Sequence, residues 1–577
     1  MNKFRNLIIN LHTKNKSELH NLYTTRHYSK TAAAYHQGET AAKIFSYLSL
    51  QFSFEATNFR TPEKLILEVS FSALDLKMSH MPQNTLPVED YLLRTLAPAI
   101  NALSESYVND KKETREKCSF NAQMASEIVT GRNGIYYIKA SKKFCLKINI
   151  GIPLVNSTSV NGKSAFRAVK ELLETINAHI VNFDKNACRH HVETFEKQQY
   201  IRRYLCDHDY VSFVANASIL PRQSGTPLPM KNALPFKSPP ELAISIFLPG
   251  GSTISGMGIK KGVTVITGGG YSGKSTLLDA IEMGIYDHIP GDGREFVITD
   301  ESALKIYAED GRPVTNLDMS PFYKYFPGDA EAKKFSTHHA SGSVSQAANI
   351  IEAVYAGAKV LLIDEDKSAT NFMIRDKNMR LVVKKEPIIP FTDRITELSK
   401  KQNVSTILVI GGSSEYLRYA DTIILMEDYK MRDITTVVKK LNLPESEDSI
   451  AEANWTKSRS YAPIQTDKQF IYFRTVTAEN QKKIILDEYS ADITLLTSLV
   501  TGEQLNHLAV IMERLIGSKG SRNIDMMEFV SESLKNNAAW QQDLSMSQNF
   551  KAERWFESVR AIDVFCAISR LRGINIL

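Results

Sequence analysis

The sequence predicts an α/β protein with a mostly parallel sheet at its centre, an α+β domain before it and a helical region after it. Between about 243 and 440, short apolar runs ("ELAISIFL", "GVTVITGG", "KVLLIDED", "STILVIGG") are each followed by polar turns and helical stretches. This is the pattern of strands covered on both faces. Before about 200, strand-like "KLILEVSFSAL" and "FCLKINIGI" alternate with helical "YLLRTLAPAINALSESYV" and "SAFRAVKELLETINAHIV". Beyond "LPESEDS" the pattern turns to long helical runs ending in "KAERWFESVRAIDVFCAISRLRGI", whose aromatics read as core. At 577 residues the chain exceeds what one hydrophobic core supports. The expected domains are therefore 1–210, 211–440 and 441–577, with the Pro-dense stretch 220–242 as a boundary or a strapped connector.

Composition bounds the function class. The hydrophobic share of 43% and charged share of 23% are those of a globular protein. No apolar run approaches the roughly 20 residues needed to span a bilayer, which argues against a membrane-spanning role. Five cysteines lie scattered without CxxC spacing, and Cys188 beside His190 and His191 is not read as a metal cluster. The basic stretch "MNKFRNLIINLHTKNKSELH" has some character of a transit peptide but lacks its Ser and Arg enrichment. The expectation is cytoplasmic, with a mitochondrial location as the alternative. A net charge of +6 is small for this length and does not by itself argue for nucleic acid.

The motif that decides the chemistry is Gly268-Gly269-Gly270-Tyr271-Ser272-Gly273-Lys274-Ser275, a match to G-x-x-x-x-G-K-[ST]. An apolar strand precedes it and the helical "STLLDAIEMGIY" follows. Its glycines let backbone N–H groups curl around phosphate oxygens, and the helix N-terminus adds partial positive charge. Lys274 is expected to reach the β- and γ-phosphates of ATP, Ser275 to bind Mg²⁺, and Thr276 to complete the ATP-binding turn. A second acidic element must share the Mg²⁺, because one hydroxyl cannot hold it in place. "KVLLIDED" supplies Asp364 as the expected metal ligand and Glu365 as the group that orients or deprotonates the attacking water, so the expected activity is a Mg²⁺-dependent ATPase.

Between these two elements lies "ASGSVSQAANI", which on composition alone passes for a linker. Its position, about 65 residues after the P-loop and about 20 before the acidic strand, is that of the signature motif of ABC-class ATPases, and it resembles their L-S-G-G-Q. "DEDKSATN" resembles the segment joining Walker B to the D-loop, with Ser368 to Asn371 as the D-loop equivalent. Together with "SILPRQSG", "HIPGDGRE", "AEDGR" and "VIGGSSEYLRYAD", these motifs resemble the family of predicted ATPases of the ABC class. The resemblance is specific from about 210 to 430 and looser over the flanks. One described type of member is a kinetoplastid mitochondrial RNA-editing ATPase.

The resemblance implies a central ABC-type P-loop NTPase core, a family-specific N-terminal domain and a C-terminal helical region. It further implies a homodimer in which Ser341, Gly342 and Ser343 of one copy close over ATP held by the P-loop of the other. Where general ABC ATPases carry a switch histidine, this chain has Gly411, Gly412, Ser413 and Ser414. Losing one such transition-state contact typically costs about 3 kcal/mol, which points to slow turnover. Glu309 or Asp310 is the expected stand-in for a Q-loop glutamine.

RNA binding is implied for the RNA-editing members, and "GRNGIYYIKASKKFCLK" supplies candidates: Arg132, Tyr136, Lys139, Lys142 and Lys143, with Tyr137 and Lys147 beside them. Cations would hold phosphates while aromatics stack on bases. The plainer reading of this stretch is an edge hairpin with solvated lysines and one tyrosine in the core. A second patch, Arg202 and Arg203, is read as facing the ATPase core or a helix surface. Two functions therefore stay open: an ATPase acting on RNA, and a nucleotide-switched module that binds protein partners, hydrolyses slowly and uses no nucleic acid.

Overall fold

The computed structural model describes residues 47–51, 64–76, 81–109, 118–151, 154–155, 159–326, 331–375, 382–383, 385–441, 451–455, 476–479, 482–517, 527–528, 530–531, 534, 541 and 555–572. The basic N-terminal stretch 1–20 lies outside them. The chain divides into one unit of residues 1–193 with 540–543 and a second of 194–539 with 544–577, the division falling inside the helix Lys185–Asp207.

The first unit is an α+β fold. Strand Lys64–Ser72 runs antiparallel to Lys143–Gly151, pairing Leu67 with Ile148, Val69 with Leu146 and Phe71 with Phe144. These six side chains are buried. The period-2 alternation in "KLILEVSFS" thus puts every second residue on the core face. Helix Leu86–Asn109 adds Leu92, Leu93, Leu96 and Ile100 to the same core. Helix Gly162–Val181 adds Leu172 and Ile176, and is capped by the Asn161 side chain accepting the Ser164 N–H.

The second unit carries a six-stranded sheet in the order Leu304–Ile306, Val360–Asp364, Ser405–Val409, Val263–Thr267, Thr422–Glu427, Lys430–Asp433. The first five are parallel and the last is antiparallel. The central runs "VLLID" and "STILV" are buried along their whole length, as strands covered on both faces must be. The apolar run Ala243–Phe247 does not join this sheet, contrary to the reading of "ELAISIFL" as one of its strands. It is mostly solvent-facing and turns through Gly250 and Gly251, both left-handed, to pair antiparallel with Thr253–Lys260. With Tyr210–Ala215 and Val297–Thr299 it forms a separate four-stranded antiparallel sheet. The Pro-rich stretch before it is strapped down: Ala217 N–H donates to Phe236 O and Phe236 N–H to Ser218 O, while Arg222 pairs with Asp292 at 2.6 Å.

The expectation of a helical region over 441–577 needs a correction among the described residues. Helices Gly502–Gly517 and Ala561–Ser569 are there. A three-stranded antiparallel meander, Val476–Glu479, Lys483–Leu486 and Tyr489–Asp492, precedes them. Four-residue strands are too short to display a period, and the turn at Asp487, left-handed at φ 51°, is what folds the chain back.

Candidate nucleotide site

Strand Val263–Thr267 delivers the chain to Gly268, whose φ of +147° and whose approach to Met426 leave no room for a side chain: a Cβ there would lie 2.1 Å from the Met426 carbonyl oxygen. Tyr271 at φ 57° and Gly273 at φ 96° are also left-handed, and Tyr271 is fully exposed. These turns coil the loop before helix Lys274–Met283 begins. Lys274 Nζ donates to the Gly268 and Gly269 carbonyls at 2.8 and 2.7 Å, so the ammonium is held back over the loop. The Ser272 Oγ is buried without a hydrogen-bond partner.

The acidic strand ends alongside. Ser275 Oγ donates to Asp364 Oδ2 at 3.1 Å, which brings together the hydroxyl and the carboxylate expected to share Mg²⁺. Asp364 is buried, and its Oδ1 accepts the Asp366 N–H at 3.2 Å. An oxygen pair of this kind, next to a loop of free N–H groups and a lysine, fits a hard divalent cation carrying phosphates. Glu365 lies at the turn after the strand. Its Oε2 accepts the N–H groups of Gly411 and Gly412 at 2.7 and 3.1 Å.

The Ser/Gly run is no linker. Ser341 is the N-cap of helix Gly342–Tyr355 and is exposed, while Ser343 is buried. Gln346 is wholly buried and reaches the segment after the acidic strand, donating to Ser368 Oγ at 3.0 Å and accepting the Ala369 N–H at 2.8 Å. Ser368 in turn donates to the Asp364 carbonyl at 2.8 Å. The run is therefore tied through Gln346 and Ser368 to the strand that ends at Asp364.

The ABC ATPase family model, a P-loop domain, matches residues 184–460. This segment is an ABC-class P-loop ATPase domain. A curated relative, the uncharacterized protein MJ1628 of Methanocaldococcus jannaschii, is 32% identical over 284 residues, 47% of this chain and 62% of that protein. The chain thus spans about six-tenths of that relative's length. Among solved structures, cbiO1 from Clostridium perfringens, part of the ABC transporter complex cbiONQ, is 17% identical and covers 41% of this chain and 95% of its own, at a TM-score of 0.24. MJ1267, an ATP-binding cassette of an ABC transporter, is 15% identical and covers 40% and 94%, at a TM-score of 0.23. No helix among the described residues is long and apolar enough to cross a membrane.

Within the ABC-class domain, Glu309 is not free to act as a Q-loop side chain. Its carboxylate accepts from Arg570 Nε at 3.0 Å and from Asn349 Nδ2 at 3.0 Å. Burial alone would raise the Glu309 carboxyl, yet Arg570 and Arg312 hold it below its ordinary value. Asp310, the other expected stand-in, faces the signature: its Oδ1 lies 3.2 Å from where a Cβ on Gly342 would sit. Arg202 is likewise engaged, donating to the Thr299 carbonyl at 2.6 Å and pairing with Asp287 at 3.1 Å.

The RNA candidates divide. Arg132 is 2% exposed; it pairs with Asp90 and donates to the Ile128 carbonyl at 2.9 Å. Tyr136 is 5% exposed and lies under Lys147, itself buried, whose Nζ is 5.0 Å from the ring centroid. These residues are core, and their assignment to an RNA surface is corrected. Strand Lys143–Gly151 is buried on both faces and Ile135 and Tyr136 are buried beside it, so a basic or aromatic residue in or next to this hairpin must find its partner inside. At the hairpin tip Lys139 and Lys142 are exposed, Lys142 at φ 54°, and Lys143 is half-buried. Neither composition nor local pattern could reveal the partners Asp90, Glu309 and Arg570, which are remote in sequence.

Proposed function

We propose that the chain binds Mg-ATP at Gly268–Thr276 and hydrolyses it when the Ser341–Ser343 loop of a second copy closes over the γ-phosphate. The observation that carries this reading is the 3.1 Å contact between Ser275 Oγ and Asp364 Oδ2, with Glu365 next in the chain. Mg²⁺, when bound, supplies charge to offset the phosphates. The chain's own groups do the rest. Lys274 leaves its two carbonyls to bind the β- and γ-phosphates, and the loop N–H groups orient them. Glu365 turns from the Gly411 and Gly412 amides to take a proton from water. Small residues at 341–343 permit close approach of the second copy, and helix Gly342–Tyr355 presents its N-terminus to the anion. In Glu365→Gln with Mg-ATP, light scattering is expected to find a stable dimer; a chain that stays monomeric with ATP bound overturns the two-copy reading.

The load moved by this closure is proposed to be RNA, a reading supported by the family resemblance and by the exposed Lys139 and Lys142. The burial of Arg132 and Tyr136 favours the second reading, a nucleotide-switched protein-binding module with slow hydrolysis. Filter binding of single-stranded RNA across a salt series separates the two. Affinity that falls with salt and with Lys139→Gln/Lys142→Gln supports RNA, whereas no salt-dependent affinity leaves the protein-binding reading.

A further inference from the structure

The C-terminal end of the described chain contains two arginines that reach far back in sequence. Arg572 donates through Nη1 to the His338 carbonyl at 2.9 Å and through Nη2 to the Gly311 carbonyl at 2.7 Å. Arg570 holds Glu309 at both carboxylate oxygens, and its Nη2 also donates to Asn349 Oδ1 at 3.0 Å. The residues so gripped are those that hold Ser341–Ser343. Gly311 N–H donates to the Ala340 carbonyl at 2.7 Å, and Ala340 N–H returns a bond to the Arg312 carbonyl at 2.9 Å. Glu309 N–H donates to Ser345 Oγ at 2.8 Å, and that hydroxyl donates to the Gly342 carbonyl at 2.9 Å. Asn349 is a residue of the signature helix itself.

We infer that Arg570 and Arg572 are positioning residues for the signature loop, and that the C-terminal segment serves as a clamp on the half of the site offered to a second copy. The inference rests on the two-copy reading above only for its functional consequence. Small side chains offer little apolar surface for packing, so the loop relies heavily on hydrogen bonds from outside to keep its shape. A guanidinium is suited to this, because its fork fits two acceptors at once and it stays charged throughout the physiological range. Arg570 is buried and paired, whereas Arg572 is half-buried and donates to main-chain carbonyls that water can satisfy. Removing Arg572 therefore loosens the loop without leaving a buried charge.

The test compares the full chain with Arg572→Ala by hydrogen–deuterium exchange of the Gly311, Ala340 and Ser345 amides, alongside ATP binding and, in a Glu365→Gln background, ATP-dependent dimerisation. Exchange at these amides is expected to rise about tenfold or more while helix Lys274–Met283 and ATP affinity stay unchanged, and dimer affinity is expected to fall about tenfold. Unchanged exchange overturns the inference, as does faster exchange with full dimer affinity. If Glu365→Gln with Arg572 intact never dimerises while the exchange effect is present, the positioning role stands and the two-copy reading fails. Should Arg572→Ala lose ATP binding, Arg572→Lys, which keeps one charged donor, is read in the same way: exchange between the two extremes supports the role, and exchange equal to the unsubstituted chain overturns it.

Discussion

Glu365 Oε2 accepts the Gly411 N–H at 2.7 Å, so the acid at the end of Walker B is held by the main chain of the loop that lacks the switch histidine. This contact needs no side chain, and a Cβ at Gly411 or Gly412 would meet nothing within 4 Å. Gly411→Ala and Gly412→Ala keep both donors and are expected to leave ATP turnover within about twofold. Glu365→Gln keeps an acceptor but cannot take a proton, and it should lower hydrolysis by about 10²–10⁴ with ATP binding retained. Phosphate release and ATP binding measured on the same samples check both statements. Loss of turnover in Gly411→Ala would show that open space, not the N–H group, is what the loop contributes.

The glycines of the P-loop are not equivalent. Gly268 is left-handed and faces the Met426 carbonyl, whereas a Cβ on Gly269 or Gly270 meets nothing within 4 Å. Gly268→Ala combines a left-handed penalty of about 1–2 kcal/mol with a clash against backbone that cannot move freely. It is expected to lower the melting temperature and abolish ATP binding. Gly269→Ala and Gly270→Ala should melt as the parent does, so any loss of binding in them is a loss at the phosphate site.

How much of this site was legible in the sequence follows from distance along the chain. The P-loop, the Asp364–Glu365 pair and the Ser/Gly run are each contiguous, and each carries its own local signal in glycine spacing, an apolar strand or a helix start. Their supports are not contiguous. Glu365 finds Gly411 46 residues on, and Glu309 finds Arg570 261 residues on. No local pattern encodes such pairs. Arg132 and Tyr136 misled for a related reason: a charged or hydroxylated side chain in or beside a strand reads as solvent-facing unless its buried partner, here Asp90 or Glu68, is known. The short meander over 476–492 escaped because its strands are too brief to show alternation against neighbouring helical runs.

Gly342→Asp tests the signature loop directly. Its side chain would project toward Asp310, whose Oδ1 is 3.2 Å from the new Cβ, placing two carboxylates together at the face proposed to meet a second copy. Like charges at that spacing repel each other and the approaching phosphate. The single chain is expected to fold and to bind ATP at its own P-loop, since neither depends on Gly342. ATP-driven dimerisation and hydrolysis should both be lost. A variant that hydrolyses ATP at the parent rate would remove the signature loop from the reaction.

Asp90 gives the first unit a defined acid limit. Burial alone would raise its carboxyl, but Arg132, the His191 hydrogen bond and Arg94 outweigh it and hold the group at about 2. Because the folded-state value lies below the ordinary 3.8, this stabilisation is complete above about pH 4 and is lost as the pH falls through about 2. That depression corresponds to about 2–3 kcal/mol. Asp90→Asn keeps hydrogen-bond acceptance but leaves Arg132 buried beside a neutral amide. The loss at pH 7 is expected to be about 3–5 kcal/mol, the cost of an uncompensated buried charge. Thermal melts from pH 7 to pH 2, followed by exchange of amides in strand Lys143–Gly151, should show the parent losing stability between pH 4 and 2. Asp90→Asn should start lower and fall less over that window. Parallel curves for the two proteins would mean that another carboxylate sets the acid limit.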